Sequence, residues 1–384
     1  MPEVIRVKLN NPKILTWARE ELGLTIPEVA ERFKKTPATI EAWERGDEAP
    51  TFRQLIDLAN YYKRPVAAFF LPSIPPRTPK PHDYRTLPYV TPGKYSKETL
   101  IAYREVYNMV AETRELLDEL NSSIVFSLPT WTIDDDPEQK AEQLRSLLGI
   151  SIEKQIKEFD THYTAQDVWR SVLFDRGVIV RICKMPITDA RAFCLFGNDL
   201  AGIGLSSEDR EHGRIFSLFH EVCHLSLKQP GVSGLASKYR SPNQRLEQYC
   251  DRFSASFLLP SSHHEVMEDL GLFEGSIDLL EVAQFIANKF KISKYVAIRR
   301  AFDLEKISPD IYWETIAEWK RSDAEYRRKK EAKGTGGNYP ATQISYIGKR
   351  FVDLVIQALN LNYLTPVDVR RIVGLELTSI EANL

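Results

Sequence analysis

Apolar positions along residues 12–70 recur at helical spacing in short runs separated by turn signals. Leu15, Ala18 and Leu22 mark a first helix, and Thr25-Ile-Pro-Glu28 supplies a capping-box start for a second that carries Val29, Ala30 and Phe33. Thr36 followed by Pro37 predicts the cap and first residue of a third helix, Ala38 to Arg45, stopped by Gly46. A fourth starts at Thr51 and buries Leu55, Leu58 and Ala59. Prolines then punctuate Leu71 to Thr99, the composition of a semi-extended tether that lets its flanking parts move, with Asp83-Tyr-Arg-Thr86 as a place to pin it. Residues 97–121 lack breakers and space Leu100, Tyr103, Val106, Val110 and Leu117 for a long amphipathic helix; residues 137–148 repeat the pattern with Ala141, Leu144 and Leu148.

Between Ala165 and Leu205 the period changes. A helix carrying Val168, Trp169, Val172 and Leu173 leads into Gly177-Val-Ile-Val-Arg-Ile-Cys183, rich in β-branched residues. Ala192 to Phe196, a turn at Gly197-Asn198-Asp199, and Ala201 to Leu205 read as a hairpin. Ser206 or Ser207 is expected to cap the next helix, residues 214–227, which is apolar on nearly every side except where His220, Glu221 and His224 project. Residues 281–303 form a helix pair broken at Ile292-Ser293, either packing helices or a substrate-recognition element. Residues 320–333 are basic, a solvated helix face or a patch for DNA or an acidic partner, and Gly334-Thr-Gly-Gly337 breaks the chain. Two helices, Ile347 to Leu359 and Thr365 to Val373, finish it.

Composition narrows the options. At 384 residues the chain needs two or three domains, and 51 basic against 53 acidic side chains exclude a whole-surface attraction to nucleic acid or anionic lipid. No run approaches the ~18 apolar residues of a membrane span, and no export signal opens the chain, so a cytoplasmic protein without membrane attachment is expected. The cysteines Cys183, Cys194, Cys223 and Cys250 are too scattered for a disulfide framework and read as reduced packing residues.

The chemistry concentrates in Phe219-His-Glu-Val-Cys-His224. Histidines four apart on a helix project to one side and can share a Zn2+ ion, with Glu221 beside them to handle a proton. A catalytic zinc site takes a third protein ligand and leaves a fourth position for water. The extended metzincin pattern fails, since Leu227 and Pro230 stand where glycine and histidine would be. A second helix with Glu-x-x-x-Asp, the gluzincin arrangement, fits Arg245 to Pro260: Glu247 would ligate and Asp251 would fix the tautomer of a ligand imidazole. Cys223 is the weaker rival ligand, more simply a small packing residue. His263 and His264, expected in a loop, are either donors to the developing oxyanion or surface residues. Glu221 then takes a proton from the attacking water and hands it to the leaving amine. The Ala201–Leu205 strand, with Gly202 and Gly204, is the expected edge for substrate to pair with.

Two stretches resemble known families. Thr39-Ile-Glu-Ala-Trp-Glu-Arg-Gly46, followed by Ala49-Pro50, resembles the signature of XRE-type helix-turn-helix domains. That resemblance implies a third helix docking in DNA through Lys35, Thr36, Ala38, Thr39 and Glu41. Against it, residues 1–70 carry 11 basic and 10 acidic side chains, and Glu41 and Glu44 are expected to repel phosphates. The module therefore meets either DNA, through residues 12–70, or a protein partner, its own twin included. The hairpin, Arg214-x-Phe216-Ser217, His-Glu-x-x-His and the Glu-helix ending in Leu258-Leu-Pro260 resemble the ImmA/IrrE metallopeptidases, where Cys223, Cys250 and Asp251 replace the usual glycine, alanine and asparagine.

The resemblance implies an α+β, mainly helical protein. Its expected parts are an all-α helix-turn-helix domain (1–71), a proline-rich linker (72–98), a helical segment (99–160), a gluzincin-like peptidase core with a small sheet (161–275) and a C-terminal helical region (276–384). The implied activity is zinc-dependent endopeptidase action on a DNA-binding repressor or antitoxin-like regulator. A DNA-binding regulator or antitoxin with a structural or vestigial zinc site is the alternative.

Overall fold

Hydrogen-bonding side chains start three of the four short N-terminal helices of this computed structural model, which describes residues 5–79, 95–197, 199–229, 232–233, 244–331 and 338–384. Helix Ile26–Phe33 opens on a capping box, with Thr25 N donating to Glu28 Oε2 at 2.7 Å. Helix Pro37–Arg45 opens on Thr36, whose hydroxyl accepts from Thr39 N, and closes on Gly46 at φ 84°, a conformation that glycine enters without steric cost. Helix Phe52–Tyr61 opens on Thr51, again as a capping box. With Lys13–Glu20, which has no side-chain cap, these helices bury Leu15, Trp17, Val29, Ile40, Trp43, Leu55 and Leu58 in an all-α core. The sequence pattern missed the 3-10 helix Val66–Phe70, which adds Phe69 to that core.

By contacts the chain divides into Met1–Pro81 with Val90–Glu105, and His82–Tyr89 with Val106–Leu384. The expected long helix runs Lys97–Glu119. Of the proline-rich stretch, residues 80–94, including Asp83 to Thr86, lie outside the described residues. The part before them is held to the first unit by Arg77 to Glu20 at 2.7 Å and Thr78 N to Glu21 at 3.3 Å.

The second unit is built on a four-stranded sheet in the order β1-β3-β2-β4, with β1 Val178–Cys183, β2 Ala192–Phe196, β3 Ala201–Ser206 and β4 Val232–Ser233. The hairpin of β2 and β3 is antiparallel as expected, though Asn198 in its turn is outside the described residues. One expectation fails here. Strand β3 is not an edge, because β1 pairs with it in parallel along its other side, and all six of its residues are buried. Its glycines serve packing: a Cβ on Gly204 would stand 2.3 Å from the ring of Phe193, its partner on β2.

Three helices lie on this sheet or against one another: His162–Phe174, Glu211–Ser226 and Gln244–Leu258. Trp169, Phe219 and Phe257, one from each, meet at centroid distances of 5.1, 5.3 and 3.9 Å. That cluster fixes the helix bearing His220 against the helix bearing Glu247. Neither Ser206 nor Ser207 caps helix Glu211–Ser226; Arg210 is its N-cap, and the Ser206 hydroxyl ends β3 by donating to Met185 O at 2.7 Å.

Helices Leu279–Phe290 and Lys294–Asp303 form the expected pair, joined through Lys291 at φ 56° and the Ser293 cap. The C-terminal end holds four helices rather than two: Tyr339–Ile347, Lys349–Asn360, Pro366–Val373 and Leu377–Glu381. Gly348 at φ 104° separates the first two; the sequence pattern marks the second of them from Ile347 and misses Tyr339–Ile347. The basic run lies at the end of helix Pro309–Glu331; its side chains from residue 324 onward and the Gly334 to Gly337 break lie outside the described residues.

Candidate metal centre

Helix Glu211–Ser226 is apolar enough to be buried along its length, so His220, Glu221 and His224 are carried inside with it at 6%, 0% and 0% exposure. One helical turn brings the imidazole Nε2 atoms of His220 and His224 within 3.2 Å of each other. Glu247, at the start of helix Gln244–Leu258, places Oε2 3.3 Å from His220 Nε2 and Oε1 3.3 Å from His224 Nε2. Each imidazole Nε2 thus has its own oxygen of the Glu247 carboxylate at 3.3 Å, and the two nitrogens lie 3.2 Å apart. Ligand atoms about 2.0–2.1 Å from a tetrahedral zinc ion stand about 3.3–3.4 Å apart, so two imidazole nitrogens 3.2 Å apart with a carboxylate beside both fit that ion in donor type and in the spacing of the histidine pair.

Electrostatics bind the trio together. Burial works to raise the Glu247 carboxyl, but hydrogen bonds from the two imidazoles pull it down to about 2. Burial works against charge on both histidines, yet Asp251 and Glu247 raise His220, and Cys250 and Glu247 push His224 up to about 10. A largely enclosed carboxylate whose partners are two imidazoles is stabilised by positive charge, supplied by protons or by a cation.

Asp251 lies where expected, its Oδ1 3.0 Å from His220 Nδ1, so that Nε2 is left to face Glu247. Of the cysteines, the one that reaches the cluster is Cys250 rather than Cys223: its Sγ lies within 4.8 Å of a donor atom on each of His220 and His224. Its position three residues after Glu247, on the same helix face, was the available signal. His263 and His264 are not brought to the cluster. His263 stands at the N-cap position of helix His264–Gly271 without a side-chain cap and holds Glu153 at 2.8 Å, which keeps that carboxyl at about 2, while His264 is exposed beside Glu268. Their loop is the start of a helix.

In the N-terminal unit, Lys35, Thr36 and Ala38 are exposed and Thr39 and Glu41 half-buried at the start of helix Pro37–Arg45. Glu44 corrects the charge argument. It is 8% exposed and turned inward, taking Arg19 in a fork at 2.7 and 2.9 Å and the Thr16 hydroxyl at 3.0 Å. Glu41 stands 3.6 Å from Arg45.

No helix among the described residues is long and apolar enough to cross a membrane. A search of curated proteins finds no match. Among known families, Helix-turn-helix matches residues 15–69, and the IrrE N-terminal-like domain, a peptidase family of the M78 group and typically metal-dependent, matches residues 175–302. Together the matches support a DNA-binding plus IrrE/ImmA-type protease role. The chain therefore joins an XRE-type helix-turn-helix domain to an IrrE/ImmA-like M78 peptidase domain.

Proposed function

We propose that this protein is a zinc-dependent endopeptidase that cleaves a DNA-binding repressor or antitoxin-like regulator, with the N-terminal module recognising DNA or protein. The observation that carries the reading is the convergence of His220, His224 and Glu247 at 3.2–3.3 Å beside a fully buried Glu221. Those three side chains would hold the ion. When bound, zinc supplies the positive charge that acidifies a water and polarises a peptide carbonyl.

The chain's own groups do the rest. Asp251 accepts the Nδ1 proton of His220 and so presents Nε2 inward. Glu221, next to His220 in sequence, takes a proton from the attacking water and returns it to the leaving amine. With β3 closed on both sides, an extended substrate has to lie along another part of the site than that strand. The second reading, a regulator with structural zinc, draws on Cys250: a fourth protein donor would close the site to water.

The two readings separate in one experiment. The purified protein is incubated with DNA-binding proteins encoded beside it, with zinc and with chelator, and the products are mapped for a single defined cut. Glu221→Gln should keep zinc and lose roughly 10²–10⁴-fold in cleavage rate. A variant that keeps zinc and cleaves at the wild-type rate refutes the assignment.

A further inference from the structure

Behind the metal trio runs a line of alternating charges that crosses to a third helix. Asp251 gives Oδ1 to His220 Nδ1 at 3.0 Å, and its Oδ2 lies 3.5 Å from Arg299 Nη1. Arg299, on helix Lys294–Asp303, turns its Nε toward both oxygens of Asp303 one turn later, at 2.9 and 3.0 Å. The side chains are largely enclosed, 14% exposed for Asp251, 20% for Arg299 and 6% for Asp303. Tyr312 points its hydroxyl at the same guanidinium. Burial would pull the guanidinium down, but the two carboxylates hold it above its ordinary value.

This arrangement has a mechanical meaning. A carboxylate held by one oxygen can pivot about its side-chain torsions and carry the imidazole with it. When the second oxygen also meets a guanidinium that is itself held in place, the pivot is restricted. Asp303 in turn holds that fork, since the pair is one turn apart on the same helix.

We infer that Arg299, braced by Asp303, is a positioning residue that locks Asp251 and thereby aims the His220 Nε2 at the metal. The inference rests on the zinc reading above and adds a residue that reaches His220 only through Asp251. The rival account is that Arg299 merely neutralises two buried carboxylates where two helices pack.

The test is zinc release from the full-length, zinc-loaded protein to a colorimetric chelator, with thermal melts as the check on folding. Arg299→Met should release zinc about tenfold faster, at the low end of the range for groups that orient a ligand. Arg299→Met/Asp303→Asn should stay as fast, because Asp251 still lacks its anchor although the excess carboxylate is gone. Arg299→Lys keeps the charge but cannot span both carboxylates, and should fall between, which provides the reading should the methionine variant not fold. Wild-type release in Arg299→Met or Arg299→Lys, or return to the wild-type rate in the double variant, overturns the inference. His220→Ala separates the two levels of the argument. If it loses zinc while Arg299→Met does not, only the positioning role fails; if it holds zinc as firmly as wild type, the metal reading fails and the inference with it.

Discussion

Each unit of this molecule holds a largely enclosed glutamate, and the two are answered differently. In the N-terminal unit Glu44 meets a fixed cation, the Arg19 guanidinium, and a hydroxyl from Thr16, all within the same small core. In the second unit Glu247 meets two imidazoles, groups that carry charge only when protonated and that ligate a metal when they are not. The first arrangement closes on itself and needs nothing further. The second is balanced only with protons or a metal ion, and it stands beside Glu221 in sequence, a fully buried carboxylate.

The strongest way to break this comparison is to remove Glu247. Glu247→Ala should weaken zinc binding by roughly 4 kcal/mol, one ligand's share of the ~10–16 kcal/mol that structural zinc sites develop. Chelator competition on the purified variant reads it directly. Zinc held as tightly as in the wild type would transfer the ligand role to Cys250, the other donor within reach of both histidines.

Next in size is the corresponding change in the other unit. Glu44→Gln leaves Arg19 buried and short of its partner, and should destabilise the helix-turn-helix unit by about 3 kcal/mol, the lower end for breaking a buried pair. Denaturant unfolding followed by fluorescence of Trp17 and Trp43, both in that core, would report it against the second unit as internal control. Repulsion between Glu44 and phosphate requires a different result, an intact module that binds DNA more tightly; that outcome would dissolve the distinction between the two glutamates.

Local patterns showed most of what local forces decide. Thr25, Thr36, Thr51 and Gly46 announce helix ends because caps act over three or four residues. His220 and His224 come together because one turn sets their spacing, and on the next helix Glu247 and Asp251, also one turn apart, both meet His220. What stayed hidden depends on distant partners. Glu41 and Glu44 look alike in a string of letters, and only the approach of Arg19 makes one of them interior. The Ala201–Ser206 strand looks like a hairpin edge until β1 comes to lie beside it in parallel. Arg299 meets Asp251 across 48 positions, with no short-range signal at either end.

The smallest effect expected concerns what the N-terminal module meets. With Glu44 turned inward, the start of helix Pro37–Arg45 presents Lys35, Thr36 and Ala38 to solvent, and the partial positive charge of the helix N-terminus lies at the same end. That combination suits a phosphate better than the sequence count of 11 basic and 10 acidic side chains suggests. If the module meets DNA by this end, Lys35→Ala should lower affinity uniformly across sequences and reduce the slope of log affinity against log salt by about 1, the signature of one lost phosphate contact. Fluorescence anisotropy with a random-sequence duplex across a salt series measures both. An unchanged slope together with unchanged affinity removes Lys35 from any DNA face. The exposed start of this helix would then be a surface for protein, and the contrast would sharpen: under the proposed function one unit would perform the chemistry and the other would select a protein on which it acts.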